Sequence, residues 1–378
     1  MKILNVNMSI DPVTGGGTAE RTYQMSMAFA KLGIKSVLLT TNVGLKHQSI
    51  RNLKGIDIAA LPCVNERYYI PKFSYRKIRK IIHRSDIVHL MNHWTYLNAI
   101  IYQMAVGMKK PYVVCPAGAL PIYGRSKFIK QVFNFVIGKR IIRNANAHIA
   151  VSINEVSQYK KYGIASNQVV HIPNGINEED FKVEGVSDFR NQYGLGGAPF
   201  ILFLGRLNHI KGPDLLLQAF NNLKDKIQKY HLVFVGPDGG MLAELRKMTF
   251  TFGIDDRVHF IGYLGGIQKA QAYHAADLLA IPSRQEAMSI VVLEAGIAGT
   301  PALITDQCGF DEIERIGGGK AVSASVQALQ LGLEEILRDS GRLKEMGEKL
   351  RIFVSGNYTW DVIINRYIDL YRCILQKK

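Results

Sequence analysis

Short apolar runs alternate with stretches of helical periodicity along most of the chain. Residues 2–8 read as a first strand, 19–32 as a helix closed by Gly33, and 35–40 as a second strand. Short strands are predicted at 86–90 and 112–115, with a helix at 98–108 between them, and another strand at 147–152. This strand–helix rhythm predicts a parallel sheet covered on both faces. After Ile172-Pro173-Asn174-Gly175 comes an acidic, polar, Gly-rich stretch to Pro199, the composition of a linker. A second alternating unit then opens. Its predicted strands are 200–204, 231–235, 258–261 and 278–281, and its helices are 214–223, 242–252 and 268–275. An amphipathic helix at 360–375 follows the gap at Gly356. The pattern predicts an α/β fold of two doubly wound domains, 1–185 and 186–356, with the final segment 357–378 set apart. Ligands would lie at the carboxyl ends of the strands, in a central cleft between the domains.

At 378 residues two domains are expected, and 47% hydrophobic with 21% charged residues is a globular composition. The opening residues form a strand pattern, not the long apolar region of a secretory signal, and no run of 18 apolar residues predicts a membrane span. Cys63, Cys115, Cys308 and Cys373 show neither metal-type spacing nor a disulfide framework, which points to a reducing, cytoplasmic setting. The charge adds more. Forty-seven Lys and Arg against 31 Asp and Glu give +16, and the excess is clustered. Lys72, Arg76, Lys77, Arg79, Lys80 and Arg84 interleave with Phe73, Tyr75, Ile78, Ile81 and Ile82. Arg125, Lys127, Lys130, Lys139, Arg140 and Arg143 thread through Phe128, Ile129, Val132, Phe133, Phe135, Val136 and Ile137. Both clusters fit a basic amphipathic helix on the inner face of an anionic membrane, and both also fit an ordinary solvated helix face. No nucleic-acid-binding module accompanies them, so nucleic acid is not an expected partner.

The densest chemistry lies from Pro282 to Gly296, where Glu286 and Glu294 stand eight positions apart across a predicted strand-to-helix junction. Ser289 would cap that helix, which runs to Gly299. Backbone at Ala287, Met288, Ser289 and Ile290 would meet the substrate, since free N–H groups at a helix start bind phosphate. One carboxylate to grip sugar hydroxyls, an amide cradle and a second carboxylate for ribose would hold a nucleotide sugar. A capped helix with two incidental glutamates is the plainer reading of the spacing alone. Arg206 and Lys211 leave the strand 200–204 on one short loop, where two fixed cations would neutralise a departing diphosphate. Gly15, Gly16 and Gly17 precede a helix and would let backbone approach a ligand, although a mere tight turn needs no more. His93, beside Trp94, could contact a sugar hydroxyl or the reacting centre, or simply pack. Gly118, in Pro116-Ala117-Gly118-Ala119-Leu120, could line the cleft through its backbone. His89, His171 and His259 alternate within strands as packing residues do. No metal-ligand spacing is present, and no Asp-x-Asp would hold a divalent ion on a diphosphate.

Taken in order, Gly15–Gly17, Ile172-Pro173-Asn174-Gly175, Gly205-Arg206-Leu207 with Lys211-Gly212, and Glu286 through Glu294 resemble family 4 of the nucleotide-sugar glycosyltransferases. The resemblance covers essentially the whole chain. It implies two Rossmann-like domains in the GT-B arrangement, with the helix at 360–375 crossing back to the first. It also implies retaining transfer from a nucleotide-diphosphate sugar, with no metal and no cofactor. Arg206 and Lys211 would hold the diphosphate, Glu286 the sugar hydroxyls, the amides near Ser289 and Ile290 a phosphate, and Glu294 the ribose. The chain departs from the family pattern in three places. Ala287 replaces the usual Gly, Met91 replaces a common second histidine for which His93 is the nearest substitute, and Ala117 stands where close relatives place Arg. The expected role is transfer to a glycan acceptor, lipid-linked in the basic-surface reading, in bacterial surface polysaccharide synthesis. Another GT-B enzyme, a glucan synthase on a soluble acceptor or a sugar-nucleotide epimerase, and an inactive GT-B binding protein are the alternatives; the intact Glu286, Arg206, Lys211 and Glu294 oppose the last.

Overall fold

The structure, a computed structural model, describes residues 1–45, 56–122, 126–183 and 186–377. Contacts divide the chain into two units, Met1–Gly175 with Trp360–Lys378, and Ile176–Thr359. The division precedes the boundary expected at 185. The acidic stretch expected as a linker contains helix Val186–Gln192, in which Phe189 is buried against Phe200 and Arg190 is paired with Asp277 at 3.2 Å. Its polar composition hid two anchors to the second unit.

In the first unit the strands are β1 (Lys2–Val6), β2 (Lys35–Thr41), β3 (Asp57–Leu61), the short antiparallel pair β4 (Cys63–Asn65) and β5 (Ile70–Pro71), β6 (Ile87–Met91), β7 (Tyr112–Cys115), β8 (Ala147–Ala150) and β9 (Val169–His171). Seven of them form one parallel sheet in the order β3-β2-β1-β6-β7-β8-β9. β6, β7 and β8 are buried throughout, as strands covered on both faces must be. Helix Trp360–Gln376 belongs to this unit. Tyr371 Oη lies 2.7 Å from His89 Nδ1 on β6, and Arg21 Nη2 donates to Tyr367 Oη.

The second unit holds β10 (Phe200–Leu204), β11 (His231–Val235), β12 (Val258–Gly262), β13 (Leu278–Ile281), β14 (Ala302–Thr305) and β15 (Gly319–Val322). They form a parallel sheet in the order β12-β11-β10-β13-β14-β15. The sequence pattern did not mark β3, β14 and β15. β3 and β15 carry half-buried residues at or near a sheet edge, and β14 is only four residues long. Among the described residues no helix is long and apolar enough to cross a membrane.

Both sheets reverse their winding at the first strand, between β1 and β6 and between β10 and β13. Chain leaving the carboxyl ends there diverges and opens a crevice, the usual ligand position in such sheets.

Candidate active site

In the second unit the two strands at the reversal each deliver a loop with site residues. β10 runs into 205–212. Lys211 N–H donates to Asn208 O at 3.1 Å and Asn208 Oδ1 at 3.0 Å, closing a tight turn. Gly212 then adopts φ 68°, and a Cβ there would fall 2.1 Å from Pro282 O. Only glycine lets this loop lie against the chain leaving β13. The contact brings Lys211 to Glu286, with Nζ 2.7 Å from Oε1. Ser283 Oγ donates to the same oxygen at 2.6 Å, and Thr305 Oγ1 fixes Ser283 by donating to its carbonyl at 2.6 Å. The Glu286 side chain is 8% exposed and that of Lys211 31%, so the pair is shielded mainly on the carboxylate side.

Arg284 secures the arrangement. Its guanidinium is bidentate to Asp214, at 2.9 and 2.5 Å, and donates to His209 O at 2.8 Å, while its backbone N–H donates to Ile210 O. Bidentate guanidinium–carboxylate pairs fix orientation as well as distance. Arg206 leaves β10 on the same loop, half-buried, with its stem packed where a Cβ on Gly239 would lie 2.8 Å from its Cγ. Cys308, behind Glu286, has its thiol pushed up to about 12 by burial and then by the Glu286 charge.

Glu294 sits one turn into helix Ile290–Ala298 and is buried. Lys269 Nζ lies 2.7 Å from its Oε1 and Tyr273 Oη donates to its Oε2 at 2.6 Å. Burial, then Glu294, then Glu286 raise the Tyr273 pKa, so the two carboxylates act on one phenol. Expectations for the helix start need correction. Ser289 N–H donates to Cys308 O at 2.9 Å and is committed, so the first helix amide with no partner among the described residues is that of Ile290. Ser289 makes no side-chain cap bond; its Oγ is buried and finds no partner among the described residues. Ala287 has no left-handed backbone, so it replaces glycine without strain, and Gly309 (φ 64°) packs where a Cβ would meet Ala287 O at 2.1 Å. The neighbouring Met288 is buried.

The first unit treats its candidates differently. His93 is 1% exposed and enclosed by Trp94, Phe133 and Tyr162, with ring centroids at 4.5, 5.7 and 5.5 Å. Its Nε2 lies 3.0 Å from Asn134 Oδ1, and burial pulls its pKa down to about 4. His93 is therefore buried and neutral, with Nε2 engaged by Asn134 and Nδ1 without a partner among the described residues. Gly118 (φ 84°) has its N–H committed to Glu155 Oε1 at 2.5 Å, so a backbone contact to substrate there would fall to its carbonyl. Glu155 itself is fully buried and its pKa is raised, chiefly by burial. Gly16 (φ 58°) breaks helix Pro12–Lys31, and Gly17 beside it is exposed. Among the described residues nothing lies within 4 Å of where a Cβ on Gly16 would stand. Asn92 Nδ2 donates to Asn7 Oδ1 at 3.0 Å and ties the ends of β6 and β1 together.

The two basic clusters also part company. Helix Tyr75–His83 turns Ile78 and Ile82 fully into the core and leaves Phe73 and Tyr75 exposed at its start, so most of its apolar stripe is spent on the core. The segment from Lys127 to Arg143 leaves Phe128, Ile129, Val132, Phe135 and Val136 exposed. Arg125 lies outside the described residues.

Sequence reading missed Lys269, Tyr273, Ser283, Arg284 and Asp214. Lys269 and Tyr273 share a helix face at i, i+4, but no spacing says which carboxylate that face meets. Arg284 stands two residues before Glu286, and its partner lies seventy positions away.

Residues 15–180 match the description Glycosyltransferase Family 4, and residues 186–352 match Glycosyl transferases group 1. An uncharacterized glycosyltransferase of Methanocaldococcus jannaschii is 28% identical over 100% of this chain and 99% of its own. A GDP-mannose-dependent alpha-(1-6)-phosphatidylinositol monomannoside mannosyltransferase of Mycobacterium tuberculosis is 30% identical over 57% of this chain and 60% of that one. A D-inositol 3-phosphate glycosyltransferase of Nocardia farcinica is 28% identical over 63% and 54% respectively. Among solved structures, Anabaena HepE in complex with UDP and glucose superposes with TM-score 0.80 at 18% identity, covering 98% of both chains. WaaG, a glycosyltransferase involved in lipopolysaccharide biosynthesis, superposes with TM-score 0.72 at 18% identity, covering 97% of this chain and 99% of that one.

Proposed function

Since this chain is a glycosyltransferase of the GT-B, family 4 type, we propose that it transfers a sugar from a nucleotide-diphosphate sugar to a glycan acceptor, with retention and without a metal ion. The observation that carries this reading is the Lys211–Glu286 pair, held at the sheet reversal beside the uncommitted amides of helix Ile290–Ala298. Glu286 would accept hydrogen bonds from the donor sugar's hydroxyls. Lys211 and Arg206 would face the diphosphate, and the amides from Ile290, with the unpartnered Ser289 hydroxyl, would take a phosphate oxygen. Glu294, oriented by Lys269 and Tyr273, would receive the ribose.

In the transfer step the anomeric carbon–oxygen bond breaks and its electron pair passes to the diphosphate. The two cations stabilise that growing charge. The acceptor hydroxyl attacks the face the diphosphate leaves, and its proton passes to a phosphate oxygen. No protein base is required. The acceptor is proposed to be a lipid-linked glycan in surface polysaccharide synthesis. Two similarities support this: the mannosyltransferase relative is named for a phosphatidylinositol-linked acceptor, and WaaG for lipopolysaccharide.

Product analysis by NMR, with donor turnover measured in excess chelator, tests the reading. An inverted anomeric configuration, or activity lost with the chelator, would refute the mechanism.

A further inference from the structure

We propose that the outward face of the helix from Lys127 to Arg143 inserts into an anionic lipid bilayer, its apolar residues entering the acyl boundary and its flanking cations the headgroups. This names the surface that would bring the enzyme to a lipid-linked acceptor, but it is judged by vesicle binding alone and survives if the transfer mechanism proves otherwise.

The helix is continuous, running from Lys127–Phe133 through a π-helical turn at Asn134–Gly138 into Lys139–Arg143. Its inner side is accounted for. Ile141 and Ile142 are buried, Gly138 lies against His93 Nε2, Asn134 pairs with His93, and Phe133 and Ile137 pack on the core of the first unit. That leaves Phe128, Ile129, Val132, Phe135 and Val136 uncovered by the described residues of the first unit, at exposures of 76, 53, 45, 88 and 58%. Positions 128, 132, 135 and 136 follow the i, i+4, i+7, i+8 spacing of a single helical face. Scattered exposed apolar residues are ordinary on a protein surface, whereas a contiguous stripe marks a docking site.

Charge selects the occupant. Lys127, Lys139, Arg140 and Arg143 are exposed at the two ends of this stripe, and from Ile87 to Asn154 the chain carries no Asp or Glu. Lys130, on this helix, rests its ammonium 5.8 Å from the ring of Trp94, which lies outside it. A helix with apolar residues outward, cations at its ends and no carboxylate fits a negatively charged lipid surface, which attracts each cation. A second copy of this chain would bring another all-cationic surface against the first. Helix Tyr75–His83, also basic, turns Ile78 and Ile82 into the core and leaves only Tyr75, with Phe73 just ahead of it, as exposed apolar surface, too little for a stripe.

The test is co-sedimentation of the full chain with vesicles of phosphatidylcholine alone, or mixed with phosphatidylglycerol, across a salt series. The wild type is expected to sediment with the mixed vesicles and to keep a bound fraction at high salt, because buried apolar surface is not screened. Phe128→Ser with Phe135→Ser should lower partitioning on the order of a hundredfold, about tenfold for each phenyl ring withdrawn. Lys127→Glu with Lys139→Glu should weaken binding mainly at low salt. Circular dichroism checks that the variants remain folded; Val136→Asp alone serves if the double variant does not. Absence of wild-type binding, equal binding by the Phe variants, or complete release by salt would each overturn the proposal. So would a dimer in light scattering that the Phe variants dissociate without any vesicle binding, which would assign the face to a second copy.

Discussion

Glu286 and Glu294 share a residue type but differ in setting. Glu286 directs one carboxylate oxygen to Lys211 and Ser283, while Glu294 has both oxygens engaged, by Lys269 and Tyr273. Glu286→Gln is therefore expected to remove nearly all turnover and leave nucleoside diphosphate affinity within a few-fold, measured by calorimetry beside kinetics. Glu294→Gln should weaken nucleotide binding itself, by roughly 1.5–3 kcal/mol if the ribose contact behaves as a charged hydrogen bond. Lys211→Met should lower kcat more than it raises KM, because negative charge grows on the diphosphate as the sugar departs. His93 provides a pH signature unrelated to catalysis. Its folded pKa is about 4, below the ordinary 6.5, so the unfolded chain binds the extra proton first. Its stabilising contribution is complete above pH 6.5 and is lost as pH falls towards 4, on the order of 3 kcal/mol in all. Urea midpoints should fall through that window more steeply in wild type than in His93→Gln. Equal slopes would show that the ring is not held neutral.

At the scale of elements, the site is a meeting of two loops that are each fixed elsewhere. Gly212 sets how near the 205–212 loop can come to β13, and Arg284 locks that loop through Asp214 and the carbonyl of His209. Gly212→Ala requires a left-handed alanine and a displaced Pro282 carbonyl. It should cost about 1–3 kcal/mol and separate Lys211 from Glu286, with kcat falling further than stability. Arg284→Gln should keep the fold but lower kcat roughly tenfold or more, since misplaced groups lose orientation before they lose affinity. Thermal melts run alongside the kinetics distinguish the two: a loss of kcat that merely follows Tm would show that Arg284 only stabilises. The helix Ile290–Ala298 shows the same dependence on neighbours. Its first uncommitted amide is Ile290, because Cys308 O has already taken the N–H of Ser289.

On the scale of the whole molecule, the chain's end completes its beginning. Tyr367 and Tyr371, on the last helix, partner Arg21 and His89 inside the first unit, and all four side chains are buried. Tyr367→Phe should cost about 1.5–3 kcal/mol, since it takes a hydrogen bond from a buried guanidinium. A chain ending at Thr359 should leave the first unit unable to fold, checked by solubility and hydrogen exchange. The alternation of apolar strands with helical stretches was enough to identify two wound α/β units, because strand and helix periods are local properties of consecutive residues. The same locality made Arg206, Lys211, Glu286 and Glu294 legible as candidates, since each lies within a few residues of a strand or helix end. Which charge meets which was not legible. Arg284 finds Asp214, and Glu294 finds Lys269, across distances in sequence that only the stacking of strands closes. Burial was equally hidden: nothing local showed that Asn134 would engage His93 Nε2, or that Glu155 would take the Gly118 N–H. The two basic stripes, alike in sequence, diverged because amphipathic spacing shows that a helix has an apolar face but not whether the core lies on that side. Periodicity is written along the chain; partnership and burial depend on what folding places opposite.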